Sequence, residues 1–141
     1  MTAKEYLWSV RLARDRIKRL NETRDEIITS MRMVSSPSLQ ERVQTSPRDR
    51  MPELMAELES NEAEILSAIE NETKLIIKIG QQIDKLKADE REKQVLHLRY
   101  ILCMDWNRLY NAMAYSESRC HQWHRSALNK FYNQYMRKRI E

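Results

Sequence analysis

The sequence predicts an all-α protein, with an N-terminal antiparallel coiled-coil helical hairpin (residues 1–87) and a smaller helical domain (residues 88–141). Composition supports this class, because the 141 residues include one glycine and three prolines and 33% of them are charged. Apolar residues also recur at alternating steps of three and four along two long stretches. A third observation is a C-terminal region whose apolar helical stripes are separated by residues that cap helices.

The two long stretches predict the helices of the hairpin. The first apolar seam runs from Ala3 to Val34 and is interrupted by Arg24. The second seam contains Met51, Met55, Leu58, Glu62, Ile65, Ile69, Glu72, Ile76, Ile79, Ile83 and Leu86. Pairing positions whose numbers sum to 85 or 86 places Arg24 opposite Glu62, so that these charges would fix the register. Loss of one charge from an apolar seam should then cost more stability than replacement of both by leucine. The same seams also fit pairing between two chains.

Residues 35–50, SSPSLQERVQTSPRDR, connect the two seams. Two Ser-Pro steps and the absence of periodicity predict a mobile loop. Its length favours a binding or regulatory role, although a tolerated insertion fits equally well.

The C-terminal domain is predicted to contain three helices. The first carries a dense apolar stripe behind an acidic first turn: Val95, Leu96, Leu98, Tyr100, Ile101 and Leu102. Asp105 should cap a second helix, Trp106 to Met113, and Ser116 a third. The inward side of the third helix would be Cys120, Trp123, Ala127, Leu128 and Phe131. Only Ala114 and Tyr115 lie between the end of the second helix and the Ser116 cap of the third. So short a turn is typical of a helix-turn-helix whose second helix enters the DNA major groove.

Charge is unevenly distributed along the chain. Residues 88–141 hold ten Lys or Arg and six Asp or Glu, whereas residues 51–87 hold four basic and eight acidic residues. A basic C-terminal module favours phosphate, and an acidic helix favours a protein partner or its own neighbour. Solvated helix faces alone would also explain these charges.

The motif VLHLRY, followed by a short helix, Tyr115–Ser116 and a longer helix containing Ala127–Leu128, resembles region four of bacterial sigma factors. Residues 88–131 are closer still to phage-encoded late-gene transcription regulators of the ArpU and RinA type from Gram-positive hosts. This resemblance implies a sigma region-four-like helix-turn-helix that binds double-stranded DNA. Cys103 and Ala114 depart from the family pattern, which has glycine at the first position and glycine or asparagine at the second. Tyr110 stands where the family has a small alanine.

The third helix supplies the candidate DNA-binding residues: Ser118, Arg119, His121, Gln122, Arg125 and Lys130. Arg119 and Gln122 suit guanine and adenine edges in the major groove. The other four suit phosphates or base edges at the groove rim, with Arg99 and Arg108 holding the DNA backbone.

Catalytic and metal-binding chemistry is not expected. Cys120 and His124 lie one helical turn apart, but no CxxC or HxxxH motif accompanies them, and Cys120 occupies a core position. The single glycine excludes a glycine-rich phosphate loop, and no ordered cysteine–histidine–acid set is present. We therefore expect no enzyme activity, no metal and no cofactor. The absence of a membrane span or secretion signal predicts a cytoplasmic protein of a bacterial host cell.

Two functions fit these observations. The first is a phage or prophage transcription regulator that binds DNA, with the coiled coil contacting RNA polymerase or another protein. The alternative is a protein-binding adaptor or anti-repressor that acts on a repressor or RNA polymerase without reading DNA. A homodimer is compatible with either function.

Overall fold

The computed structural model describes residues 1–35 and 50–137, and the predicted all-α class is confirmed for them. The helices are α1 (Ala3–Val34), α2 (Met51–Asp84), α3 (Glu90–Leu96), α4 (Trp106–Met113) and α5 (Glu117–Phe131). A π-helical turn extends α3 over His97–Ile101, and another extends α5 over Tyr132–Met136. None of these helices has both the length and the apolar character needed to cross a bilayer. The predicted mobile connector lies outside the described residues except at its two ends.

The chain divides into two compact units whose limits fall inside the long helices. We call Ala13–Asn71 the middle unit, and Met1–Leu12 together with Glu72–Glu141 the terminal unit. Residues 1–12 and 72–87, which the prediction includes in the hairpin, also contribute apolar side chains to a core with α3, its π-helical turn and α5. Whether residues 88–141 form a domain by themselves stays a prediction.

In the middle unit, α1 and α2 make the predicted contact between Arg24 and Glu62. The Arg24 Nε atom lies 3.4 Å from Glu62 Oε1, and Arg16 approaches Glu64 at 3.9 Å. However, the side chains of Arg24 and Glu62 are 42% and 49% exposed. A pair so accessible to water contributes less than about 1 kcal/mol, so the large penalty expected for an ion pair in an apolar seam does not apply.

The inward face of α2 in the middle unit differs from the predicted seam by one residue at every second position. Leu54, Asn61 and Ala68 are buried, whereas the predicted Met55, Glu62 and Ile69 are exposed. The prediction was wrong at these positions because the two neighbouring residues at each step are both apolar or both polar, so that two alternations of three and four fit equally. Asn61 supports the observed face, since its Nδ2 atom donates a hydrogen bond to the Leu20 carbonyl at 3.2 Å.

In the terminal unit, residues that are far apart in the sequence contribute to one core. Leu7 and Val10 of α1 pack with Ile79 and Ile83 of α2 and with apolar residues from the C-terminal helices, including Leu96, Tyr100, Ala127 and Phe131. A second cluster joins α3, α4 and α5 through Val95, Leu109, Met113 and Cys120. These two clusters determine how α5 is held and which of its sides faces water.

Both predicted N-caps are present. Asp105 Oδ1 accepts a hydrogen bond from the Arg108 amide at 2.8 Å, and Ser116 Oγ accepts one from the Arg119 amide at 3.3 Å. These bonds satisfy amide groups that the first helical turn leaves free. Trp106 and Trp123, predicted to be core residues, are half-buried against the second cluster. Leu102, a member of the predicted apolar stripe, is exposed.

Among the residues that the structure describes, two non-glycine residues adopt the left-handed backbone conformation. They are Cys103, with φ 55°, and Ala114, with φ 59°. Both had been identified as departures from a glycine or asparagine pattern. Ala114 follows α4, and its amide donates to the Tyr110 carbonyl at 2.9 Å, which closes the helix end. A side chain in this conformation costs roughly 1 kcal/mol.

We expect Ala114→Gly to raise the free energy of unfolding by about 0.5–1 kcal/mol, because glycine removes the steric cost of the left-handed turn. The matched control is Ala112→Gly, at an exposed position within α4, where glycine should lower stability by about as much. Denaturant unfolding followed by circular dichroism measures both changes. Destabilisation by both substitutions would contradict strain at Ala114.

Candidate nucleic-acid interface

Helix α5 exposes a continuous polar line on the side opposite its buried residues. Its buried residues are Cys120, His124, Ala127 and Phe131. The opposite line consists of Ser118, Gln122, Arg125 and Asn129, all exposed and separated by steps of four, three and four. At 3.6 residues per turn these steps keep the four side chains on one face, which is suited to hydrogen bonding along a groove.

Four of the six predicted contact residues are accessible on or beside this line. Ser118, Gln122 and Arg125 belong to it, and Arg119 lies at its flank. The Arg119 guanidinium carbon is 5.8 Å from the centroid of the Trp123 ring, an arrangement that restrains the side chain while leaving the residue exposed. Arg108, predicted to hold the DNA backbone, is also exposed.

His121, the fifth predicted contact, joins α5 to α4. Its Nε2 atom lies 2.5 Å from the Tyr110 hydroxyl oxygen, and its ring centroid is 4.1 Å from that of Trp106. The imidazole is half-buried in this aromatic contact. Tyr110 therefore points its hydroxyl towards α5. An approach to DNA by His121 would require it to leave these two rings.

Lys130, the sixth predicted contact, pairs with a buried carboxylate. Its Nζ atom lies 2.7 Å from Glu92 Oε1, and the Ser126 hydroxyl donates to Glu92 Oε2 at 2.9 Å. The Glu92 side chain is only 3% exposed. Burial raises the pKa of the Glu92 carboxyl, but the hydrogen bonds from Lys130 and Ser126 outweigh it, and the net pKa is lowered. The bond to Glu92 raises the pKa of Lys130. The charge of Lys130 thus neutralises the Glu92 carboxylate within the terminal unit.

Arg99, predicted to contact the DNA backbone, also has an internal position. Its guanidinium carbon lies 5.1 Å from the ring centroid of Trp8 and 4.9 Å from that of Trp106. It also donates to the Met104 carbonyl at 2.7 Å. Cation–π contacts on two rings, together with the hydrogen bond, join the first helix of the chain to the start of α4.

His124 is buried beneath the polar line and cannot contact DNA. Its Nε2 atom lies 2.6 Å from the hydroxyl oxygen of Tyr100. Burial lowers the pKa of His124 to about 4, with smaller contributions from the nearby charges of Lys4, His121 and Arg99. Burial also raises the pKa of Tyr100 to about 12, so its hydroxyl keeps its proton and can donate to a neutral imidazole.

The metal interpretation of Cys120 and His124 gains no third ligand from the fold. Within residues 1–35 and 50–137, no group of three or more histidine, cysteine, aspartate or glutamate residues is arranged to hold an ion. Cys120 is buried, and burial raises the pKa of its thiol, which disfavours the thiolate that a metal requires.

Sequence reasoning missed two residues near the polar line. Asn129 continues the line by one helical turn, and its amide is a side chain that can read adenine. The periodicity of α5 could have identified it, but the basic neighbour Lys130 was preferred. Arg91 is the second, with its guanidinium carbon 4.7 Å from the ring centroid of Tyr115 in the turn before α5. No signal in the sequence predicted that contact.

Comparison with known proteins gave no relative: the sequence matches no protein-family model and no curated protein, and the fold matches no solved structure.

Proposed function

We propose that this protein is a phage or prophage transcription regulator that binds double-stranded DNA through a helix-turn-helix formed by α4 and α5. In this proposal α5 lies in the major groove and presents Ser118, Arg119, Gln122, Arg125 and Asn129 to base edges and phosphates. The sequence resemblance of residues 88–131 to sigma region four supplies the class of function.

The observation that carries the proposal is the polar line on α5. Its residues are exposed from the first turn of α5 to the last, and the residues on the opposite side of the helix are buried in the core. Helices α4 and α5 are joined by the three residues 114–116, with a left-handed Ala114 and a capping Ser116. A short turn and a capped second helix are what this mode of DNA recognition uses.

The long helices supply the proposed protein contact. Residues 51–71 contain six glutamates and no lysine or arginine, so this stretch of α2 would repel DNA and suits a protein surface. We propose RNA polymerase or a repressor as the partner class for a regulator of this kind.

One observation favours the alternative, an adaptor or anti-repressor that does not read DNA. Of the four charged or ionisable side chains among the six predicted contacts, His121 and Lys130 are engaged internally. Among these six residues, Arg119 and Arg125 are the cations that stay exposed. Few exposed cations among them count against DNA reading, because DNA affinity depends largely on phosphate neutralisation.

A binding experiment with the full chain separates the two functions. Duplexes selected from a random library should bind with an affinity that falls steeply as salt increases. On the selected sequence, Arg119→Ala, Gln122→Ala and Asn129→Ala should each cost about 1–3 kcal/mol and relax preference at one base position. Arg125→Ala should weaken binding to all sequences alike and flatten the salt dependence.

The matched control for lost positive charge is Arg32→Ala, an exposed arginine on α1 in the middle unit. It should leave DNA affinity unchanged. If no duplex is enriched, or if the α5 variants behave like Arg32→Ala, groove reading is wrong and the adaptor function replaces it.

A further inference from the structure

The middle unit exposes two large apolar side chains on one face of α2. Leu66 and Met55 are 70% and 57% exposed. They are eleven residues apart, which is three helical turns, so they lie on one face of the helix, with the exposed Glu59 and Glu62 between them. A single large apolar side chain in water is ordinary, whereas two on one helix face with carboxylates between them form a mixed surface that suits a partner of matching charge.

The centre of this face is charged and self-complementary. A shallow groove beside Leu66 is lined by Asn21, Arg24, Glu62 and Ile65. Arg24 and Glu62, one from each helix, are about half exposed at this groove. They can therefore interact with a second molecule as well as with each other.

The two helices of the middle unit also differ in charge. Residues 13–34 hold six Lys or Arg and four Asp or Glu, whereas residues 51–71 hold six glutamates without a basic residue. A surface with one basic and one acidic helix side by side complements another copy of itself when the helices are exchanged across the contact.

We propose that the middle unit forms a two-fold symmetric dimer, in which α1 of each copy packs on α2 of the other as an antiparallel four-helix bundle. The two-fold axis runs parallel to the helices, so each residue keeps its level along the bundle. Arg24 then lies opposite Glu62 of the second copy, and Glu62 opposite Arg24 of the second copy. Met55 faces Met31 of the second copy, and Leu66 faces Leu20.

The charges select this axis over the other face-to-face arrangement. An axis perpendicular to the helices would place α2 against α2, so that Glu59, Glu62 and Glu70, which share the Leu66 face, would meet the same carboxylates of the second copy. Like charges in contact across an interface are repelled, and exchange of the helices removes that repulsion. The proposal is independent of DNA binding.

The first test measures the oligomeric state of the full chain by sedimentation equilibrium over a range of concentrations. We expect a reversible dimer. Leu66→Ser should raise the dimer dissociation constant by on the order of 100-fold, because the lost apolar contact occurs twice across the two-fold axis. The matched control is Met33→Ser, an exposed residue of α1 on the side away from Arg24, which should leave the dissociation constant unchanged.

The second test uses charge reversal in separate chains. Arg24→Glu and Glu62→Arg each place like charges at both positions, within a chain and between identical chains, so each variant alone should be monomeric. In a one-to-one mixture the contacts within each chain remain repulsive, but both contacts between the two variants become attractive. The mixture should therefore form heterodimers, with circular dichroism confirming that each variant is helical.

Restored association on mixing cannot come from a change within one chain, so it reports the intermolecular pair directly. A parent chain that stays monomeric up to about millimolar concentration, where such contacts are too weak to matter, overturns the proposal. Dimers that resist Leu66→Ser, or variants that fail to associate when mixed, overturn it equally.

Discussion

Lowering the pH from 7.5 to 5 is expected to reduce the free energy of unfolding by about 2 kcal/mol through His124 alone. The buried imidazole lies against the Tyr100 hydroxyl, and burial lowers its pKa to about 4. In the unfolded chain a histidine titrates near its ordinary value of 6.5. Between these two pH values the unfolded chain binds a proton that the folded chain excludes, so stability is complete above about 6.5 and falls as the pH decreases towards 4. Over the whole window the loss amounts to about 3 kcal/mol.

The measurement is urea unfolding at both pH values for the parent and for His124→Gln, whose side chain is neutral throughout this range. In the variant, the free energies of unfolding at the two pH values should differ less than in the parent. The reduction should be most of the roughly 2 kcal/mol that the linkage relation assigns to this one histidine. His97→Gln, which changes an exposed imidazole on the first π-helical turn, is the matched control and should retain the parent's difference. An undiminished pH dependence in His124→Gln would show that other groups cause it.

Removing the ammonium of Lys130 is expected to destabilise the terminal unit by leaving Glu92 without its cation. Glu92 is 3% exposed and accepts hydrogen bonds from Lys130 and Ser126. A carboxylate stranded in such surroundings costs about 2–3 kcal/mol, less than in a fully buried pair because the side chain at position 130 is 42% exposed. In Lys130→Met we also expect the pKa of Glu92 to rise, so that this variant should recover part of its relative stability below the ordinary pKa of a glutamate.

Glu92→Gln in the Lys130→Met background provides the decisive control. If the stranded charge is the cause, the double variant should regain most of the lost stability, since a neutral amide no longer needs the ammonium. The same pair of variants tests the predicted phosphate contact. DNA affinity that is lost in Lys130→Met and regained in the double variant reflects folding, whereas affinity that stays low in both reflects direct contact of Lys130 with DNA.

The local features of the fold were predictable because they depend on neighbours in the sequence. The caps at Asp105 and Ser116, both ends of α4 and the start of α5 follow from residue types at fixed offsets, and the structure confirms them. The inward phase of α2 was not predictable, since Leu54 and Met55 are equally apolar and α1 decides between them. Asn61 reaches the Leu20 carbonyl only in the observed phase.

The candidate site likewise contains features that follow from the local sequence and features that depend on other helices. Exposure of Gln122 and Arg125 follows from the period of α5 alone. The internal roles of His121 and Lys130 depend on Tyr110, Trp106 and Glu92, which belong to other helices. The role of a basic side chain on a predicted DNA-binding helix is ambiguous until the neighbouring helix is known. The same ammonium group that binds a phosphate also neutralises a buried carboxylate.

The core of the terminal unit joins residues that are far apart in the sequence. Leu7 and Val10 are synthesised well before Phe131, yet all three belong to one core. During translation the N-terminal part of α1 therefore keeps its apolar side uncovered until Phe131 has left the ribosome. A product that terminates before α5 lacks this part of the core and would expose apolar surface of the kind that chaperones and proteases recognise. The order of synthesis thus makes α5 necessary for protecting the apolar side of α1 from degradation.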